Sequence, residues 1–501
     1  MTQPATLTDD HPAYRALVAR DPRFDGRLWF GVTSTGVYCR PVCPARTPLS
    51  RNVRPFRSPA AAVAAGFRAC RRCRPDTAPG SRQYDARGDL AARALRAIAA
   101  GDADDGGVAG LASRLHVSPR HLHRILVSEV GVGPLQLASS RRARTAALLV
   151  EQSALPLSDI AFAAGFASIR QFNDVMQREF GLPPSALRHR SRRRDERRPV
   201  ERGSPLTLRL RWRPPYDVAA MLAHVAARAV AGVELVDVAA GTVSRLLPLP
   251  HGPAGVTVRF DEPAESLVVS ATDVDIADVG ALVPLVRRWF DLDAAPLAVA
   301  DALRRDAVLA PLVQRRPGLR VPVTPTPWEA LVRAIVGQRI SVAAARAALG
   351  RIASACGAAA VAGPPGPLVC QEFPTAATVL ALGTTGLTAA GITAGQARAL
   401  VVAAERTVRG DLDLTASASP AQLRQQLLEI GGVGPWTAQY VALRGLADPD
   451  SFPVGDAGLQ RAARSLGLGP HDLVARSTAW APWRSYAAQQ LWTFDPQEEP
   501  A

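Results

Sequence analysis

Apolar residues recur along this chain with two different periods, and the change of period divides it. From residue 85 to 190 the spacing is helical. Val108 to Leu115 places Leu111 and Leu115 one turn apart, and Ser118-Pro119 supplies an N-cap followed by proline at the first helical position, opening a helix through Ser128. The same order returns further on: Ser158-Asp159-Ile160-Ala161 starts a helix, Gly165-Phe166 makes a turn, and Ser168 caps a helix to about Phe180. This predicts two helix-turn-helix units joined by an arginine-bearing helix (Arg141, Arg142, Arg144), a layout that presents two helices to successive major grooves of DNA. From His189 to Arg202 the period is lost among seven arginines and three acids, which reads as a solvated tether.

Beyond the tether the period shortens to two. Leu206 to Trp212 alternates as a strand, a helix is expected over Val218 to Val230, and strands over Val233–Val236, Gly255–Phe260 and Ser266–Ser270. That is a small α+β domain with no cluster suggesting chemistry. Helical character dominates from about Leu292 to the end. The expected class is therefore multidomain, mainly α with α+β. Its parts are a first domain over 1–80, tandem helix-turn-helix over 85–190, linker 191–204, α+β domain 205–290 and all-α domain 291–495. A chain of 501 residues is long enough to give each its own core.

Composition sharpens the partner. The 59 basic residues against 44 acidic ones leave a net charge of +15, which favours a polyanion. Every basic residue is arginine; the sequence has no lysine. Codon usage in a GC-rich genome accounts for the bias, and arginine's bidentate grip on phosphate makes it serviceable for DNA. Met1 to Asp10 lacks the basic start and apolar run of a signal peptide, and no apolar stretch of about 18 residues is present to span a membrane. With the cysteines clustered rather than scattered as a disulfide framework, the expected location is the cytoplasm.

Four of the six cysteines fall in the first domain as Cys39-x3-Cys43, then 26 residues, then Cys70-x2-Cys73. Two close pairs suit one tetrahedral zinc site with four thiolates. On spacing alone a purely structural zinc knuckle is the stronger reading. However, Thr35-Gly36-Val37-Tyr38-Cys39-Arg40-Pro41-Val42-Cys43-Pro44-Ala45-Arg46 and Ala65-Gly66-Phe67-Arg68-Ala69-Cys70-Arg71-Arg72-Cys73-Arg74-Pro75-Asp76 closely resemble the N-terminal domain of the Ada family of adaptive-response methyltransferases. The resemblance implies that Cys39 accepts a methyl group from a methylphosphotriester in the DNA backbone. Cys43, Cys70 and Cys73 would be the remaining zinc ligands. Cys356 and Cys370 read as ordinary thiols.

The helix-turn-helix unit resembles the DNA-binding domain of the AraC family of regulators. The match lies in Leu115 to Arg124, in Asp159 to Phe166, and in Phe172, Phe180-Gly181 and Pro184-Ser185. The resemblance makes Arg120, His121 and Arg124 on one helix, and Arg170, Gln171 and Asn173 on the other, the DNA-facing residues. It also implies transcriptional activation and RNA polymerase as a partner.

In the last domain, Leu428-Glu429-Ile430-Gly431-Gly432-Val433-Gly434-Pro435-Trp436-Thr437-Ala438 brings an apolar helix to a Gly-x-Gly hairpin, and a second helix starts at Pro435. Glycines let the backbone approach a phosphate, and the hairpin amides with the helix N-terminus bind the anion, so Gly432 and Gly434 are candidate DNA contacts. Asp456 follows 20 residues after Trp436, in Phe452-Pro453-Val454-Gly455-Asp456. By itself an aspartate there is an ordinary N-cap. The pairing, with Pro317 to Arg320, Arg333 to Gln338, Ala442 to Gly445 and Pro482 to Ala487, resembles the AlkA family of bacterial 3-methyladenine DNA glycosylases, across Leu206 to about Phe494. The resemblance implies a catalytic Asp456 and a flipped base caged by Trp436, Tyr440 and Trp492, aromatics that spacing alone leaves as core. It places Gln338 and Arg339 in the loop that fills the gap in the duplex, with Arg339 standing where the family carries an apolar wedge. A lyase of this architecture attacks C1′ with a lysine amine at the position of Trp436, and this chain has no lysine, so hydrolysis without strand cleavage is expected. No cysteine follows Cys370, so no iron–sulfur cluster is expected. The reading from a different class is a transcription factor whose glycosylase-like half binds damage without excising it.

Overall fold

The structure, a computed structural model, describes residues 7–494 apart from 22–23, 25–27, 42, 44, 57–58, 71–89, 92, 96, 99–100, 102, 104–105, 195–205, 358–359, 364–367 and 416–417. The first domain is built on a sheet in which Trp29–Val32 pairs antiparallel with Val53–Phe56 on one side and with Val37–Cys39 on the other. Arg68–Ala69 joins Val37–Cys39 in parallel. Trp29 and Phe30 are fully buried, and the sheet is packed so closely that a side chain at Gly31 would lie 2.8 Å from the rings of Phe56 and Phe67.

The helix-turn-helix unit forms as its caps dictate. The Ser118 hydroxyl accepts from the His121 amide and opens Pro119–Val130, while Ser168 accepts from the Gln171 amide and opens Ile169–Phe180. Pro134–Gln152 joins the two halves. The last helix, Pro184–Arg194, continues into the stretch expected to be tether, because nothing breaks a helix before Arg194. The rest of that linker lies outside the described residues.

The α+β domain has five antiparallel strands in the order Leu206–Arg211, Ser266–Thr272, Gly252–Asp261, Thr242–Leu249, Glu234–Asp237. Thr242–Leu249 is absent from the sequence expectation. Residues 243–247 are all buried, so this inner strand has no alternation to betray it. The helices Val218–Arg228 and Val279–Trp289 complete the domain.

The helical domain has two apolar cores. One gathers Trp328, Leu331, Ile335, Leu349, Leu400, Leu423, Ala438 and Val441; the other gathers Leu303, Val313, Leu443, Leu459, Trp483 and Leu491. The Pro435–Leu446 helix contributes to both. A buried ion network fixes this domain to the sheet. Arg245 on Thr242–Leu249 donates to Glu234 at 2.7 Å and to Glu329 at 2.8 Å, and Arg333 reaches Glu234 and Glu329 at 2.7 Å each.

The domains share cores. Ile160, Phe166, Phe172 and Leu187 of the second helix-turn-helix lie in one cluster with Leu208, Val243 and Trp289 of the α+β domain. Arg141, on the helix that joins the two helix-turn-helix units, is 8% exposed, and its guanidinium lies against Gly280 in this seam. Gln152 and Arg209 exchange hydrogen bonds across it. At the other end, Ala16, Ala19 and Phe24 join the second helical core, with Phe24 edge-on to Trp483 at 5.3 Å and Arg15 donating to the Ala481 carbonyl at 2.7 Å.

Candidate functional site

Asp456 caps the helix Ala457–Ser465, so the ordinary structural role is real: its Oδ1 accepts from the Leu459 amide at 2.9 Å. The same carboxylate does more. Trp492 donates its indole N–H to Oδ1 at 2.8 Å, and Trp436 donates to Oδ2 at 2.8 Å. Three N–H groups from three elements therefore hold one half-buried carboxylate in a single orientation. Trp436 and Tyr440 lie four residues apart on the Pro435–Leu446 helix and share a face, with rings stacked at 5.2 Å; Tyr440 meets Trp492 edge-on at 6.2 Å. A purine between two rings needs about 7 Å, so the Trp436–Tyr440 stack receives a base beside it and not inside it. This aromatic wall stands where the two helical cores meet, with Tyr440 packed on one and Trp492 on the other.

The hairpin lies alongside. Gly432 has φ +89°, a left-handed turn that glycine adopts freely, and among the described residues nothing lies within 4 Å of where a side chain at Gly431 or Gly434 would begin. Among the described residues no side chain caps the Pro435–Leu446 helix, and an uncapped helix N-terminus offers amides that can take an anion. Gln338 is brought to this hairpin: its Nε2 donates to the Gly432 carbonyl at 3.0 Å and to the Thr437 hydroxyl at 3.1 Å. Gln396 in turn donates to the Ile335 and Val336 carbonyls and holds the chain that leads into Gln338. Arg339 is exposed, with φ +61°, and stands outside the aromatic wall; Ile340 beside it is also exposed.

In the first domain, the parallel pairing of Tyr38 with Ala69 sets Cys39 beside Cys70, and a turn closed by the Cys43 amide on the Arg40 carbonyl brings Cys43 back. The three sulfurs lie within 4.8 Å of one another. Tetrahedral zinc with thiolates at about 2.3 Å spaces sulfurs by about 3.8 Å, so the set fits that ion with small adjustment. Cys73 lies outside the described residues. Burial pushes the thiols of Cys356 and Cys370 up, which makes them poor nucleophiles.

Arg120, Arg124, Arg170, Gln171 and Asn173 are exposed and His121 is half-buried, on helices whose other faces bury Leu122, Ile125, Phe172 and Met176. Two of these side chains also have local partners. Gln171 accepts from the Ala167 amide, and Arg124 bonds the His121 ring.

Sequence reasoning missed Arg444, Gln489, Thr437 and Gln396, which are buried behind the wall and the hairpin. For Arg444 a signal existed: it falls four residues after Tyr440 on the same helix face, a charge at an apolar position.

The family model for the metal binding domain of Ada matches residues 12–76, that of a helix-turn-helix domain 111–190, and that of the AlkA N-terminal domain 207–325. A Mycobacterium tuberculosis (strain ATCC 25618 / H37Rv) protein named "Probable bifunctional transcriptional activator/DNA repair enzyme AlkA" is 42% identical over 487 residues, which is 97% of this chain and 96% of that protein. This chain belongs to that bifunctional activator/repair family. The family's two halves account for the layout seen here: a metal-binding and helix-turn-helix front and a glycosylase back. The Escherichia coli (strain K12) DNA-3-methyladenine glycosylase 2 is 34% identical over 284 residues, covering 56% of this chain and 95% of that protein. In three dimensions the back half shares the fold of the 3-methyladenine DNA-glycosylase from Archaeoglobus fulgidus, with TM-score 0.50, 18% identity, and coverage of 57% of this chain and 96% of that one. Family membership and the helix-turn-helix unit make DNA the partner of this chain. No helix among the described residues is long and apolar enough to cross a membrane.

Proposed function

We propose that the chain excises N-alkylated bases such as 3-methyladenine from duplex DNA by hydrolysis, and takes methyl groups from DNA methylphosphotriesters onto Cys39. The observation that carries the excision half is the Asp456 carboxylate gripped by the indoles of Trp436 and Trp492 at the edge of an aromatic wall. A target base flipped from the stack lies against that wall, which sets C1′ of its sugar near the carboxylate. The C1′–N bond breaks, its electron pair leaves with the base, and the positive charge left on the sugar is stabilised by Asp456. Water adds through oxygen to C1′ and releases a proton to solvent. The amides around Gly432 and Gly434 take the flanking phosphate. With no lysine to form an imine, the product is an abasic site with the backbone unbroken.

In the first domain, Cys39, Cys43, Cys70 and Cys73 would hold one zinc, which keeps sulfur as thiolate. The Cys39 sulfur attacks the methyl carbon of the neutral triester; the carbon–oxygen bond breaks with its pair staying on phosphate, and Cys39 becomes a thioether. The cluster is then one unit less negative, repulsion from DNA phosphates falls, and the helices bearing Arg120, His121, Arg124, Arg170, Gln171 and Asn173 bind promoter DNA more tightly, recruiting RNA polymerase. The units over 1–80, 85–190, 205–290 and 291–495 carry these roles.

One experiment tests both halves. Purified protein is incubated with duplex DNA treated with a methylating agent, and free base and protein mass are measured together. The expected result is release of 3-methyladenine with intact strands, and a gain of about 14 mass units on the Cys39 peptide and none on those of Cys356 or Cys370. Strand cleavage with a borohydride-trapped adduct would overturn the hydrolytic mechanism, and a methyl on another cysteine would overturn the acceptor.

A further inference from the structure

Arg444 follows Trp436 and Tyr440 along one face of the Pro435–Leu446 helix but lies a layer deeper, 3% exposed. Its Nη1 donates to the Pro322 carbonyl at 2.7 Å and its Nη2 to Gln489 Oε1 at 2.9 Å, and its Nε has no partner. Both acceptors are neutral; the Tyr440 hydroxyl is a further partner, and the Asp456 carboxylate favours the charge. Taking a guanidinium out of water without a carboxylate in contact is costly: buried Arg245 and Arg333 each meet both Glu234 and Glu329, whereas Arg320, 1% exposed, resembles Arg444 in donating to carbonyls and lying over a ring, that of Tyr216. What faces Arg444 instead is the aromatic wall. Its Cζ lies 4.8 Å from the ring centre of Trp492 and 5.8 Å from that of Tyr440. Trp492 is thus held between charges, its face on Arg444 and its N–H on Asp456. Burial lowers the guanidinium to about 10, so it remains a cation at neutral pH.

A ring whose one face already meets a cation offers a second cation less on the other. We propose that Arg444 is a positioning residue that sets the base pocket against capture of a cationic purine and in favour of its departure as a neutral base. This deepens the glycosylase reading above and rests on it. When the bond to a cationic base breaks, positive charge leaves the base, which lies over Arg444, for the sugar, which lies beside Asp456. Repulsion from Arg444 falls as the reaction proceeds. When the lesion is neutral, the leaving base gains electron density and is attracted instead. The charge on the base becomes more negative in both cases, so Arg444 speeds both reactions. It weakens ground-state binding only of the cation. A half-charge change about one ring's width from the guanidinium corresponds to about fivefold in rate.

The test is single-turnover excision by the full chain, with wild type, Arg444→Lys and Arg444→Met, on duplexes carrying 7-methylguanine (cationic) or hypoxanthine (neutral). Arg444→Met is expected to slow the saturated rate about fivefold on both, while lowering the half-saturating enzyme concentration for 7-methylguanine alone. Arg444→Lys, which keeps the charge and loses the fork, is expected to retain both rates and the weak binding of the cation. Equal losses in both variants, with no split between lesions, would make Arg444 a structural staple and overturn the proposal. If the methionine variant does not fold, the wild type decides: neutral 3-methyladenine should inhibit more strongly than the permanently cationic 3,9-dimethyladeninium, and the opposite order overturns the proposal. Release of no base from any duplex by wild type would remove the glycosylase reading itself, and this inference with it.

Discussion

At the scale of the residue, one carboxylate is asked to do two things. Asp456 caps a helix and fixes two indoles, and the amide of asparagine can keep the cap through its carbonyl oxygen. What asparagine cannot keep is the negative charge and the second acceptor, since its amide nitrogen would face the Trp436 N–H. Asp456→Asn is therefore expected to fold, to bind DNA through the hairpin amides, and to excise 3-methyladenine at least about a hundredfold more slowly, about 2.7 kcal/mol of transition-state stabilisation. Excision kinetics with a parallel DNA-binding assay measure this, and near-normal release would end the catalytic assignment. The roles of the thiols divide on equally small differences. Cys39, Cys43 and Cys70 converge, whereas Cys356 and Cys370 are raised by burial.

At the scale of the element, the site depends on where one helix is clamped. Pro327–Val336 carries Glu329 and Arg333 into the buried network with Glu234 and Arg245, and its C-terminus leads to Gln338, which braces the hairpin. Burial alone would raise the Glu234 carboxyl, but Arg333 and Arg245 outweigh it and hold it below the ordinary range. A carboxyl so lowered contributes stability that is present above its unfolded value, about 4.3, and is lost as pH falls through the lower folded value. Glu234→Gln leaves buried Arg245 and Arg333 with Glu329 alone, and a loss of about 3 kcal/mol is expected at pH 7. Denaturant unfolding at pH 7 and at about pH 3 measures both effects: the gap between wild type and variant should narrow in acid, and a gap that persists unchanged would show that the network's charge is not what stabilises the joint. Much of this level was legible in the sequence. Ser118 and Ser168 announce their helices, and Gly432 announces its turn, because caps and positive φ are local demands. The strand Thr242–Leu249 was not, since full burial erases alternation; for Arg444 the spacing from Tyr440 was legible but its partners, 122 and 45 residues away, were not.

At the scale of the whole molecule, the domains are joined through cores rather than strung on tethers. Phe24 of the metal-binding domain packs on Trp483 of the glycosylase domain, so Phe24→Ala should weaken that joint by about 3 kcal/mol. The sign of it would be faster amide exchange around Trp483 in the full chain, with the Cys39 site still loaded with zinc; unchanged exchange would mean the two domains do not rest on each other in solution. The larger seam, where Phe166, Phe172 and Leu187 share a cluster with Val243 and Trp289, bears on heredity. A mutation that hollows this cluster damages the promoter-reading unit and the support of the excising domain together. Loss-of-function alleles mapping there should abolish induction and repair in one stroke. Alleles that separate the two must be sought away from this cluster, at exposed Arg170 or Asn173 for one activity and at half-buried Asp456 for the other.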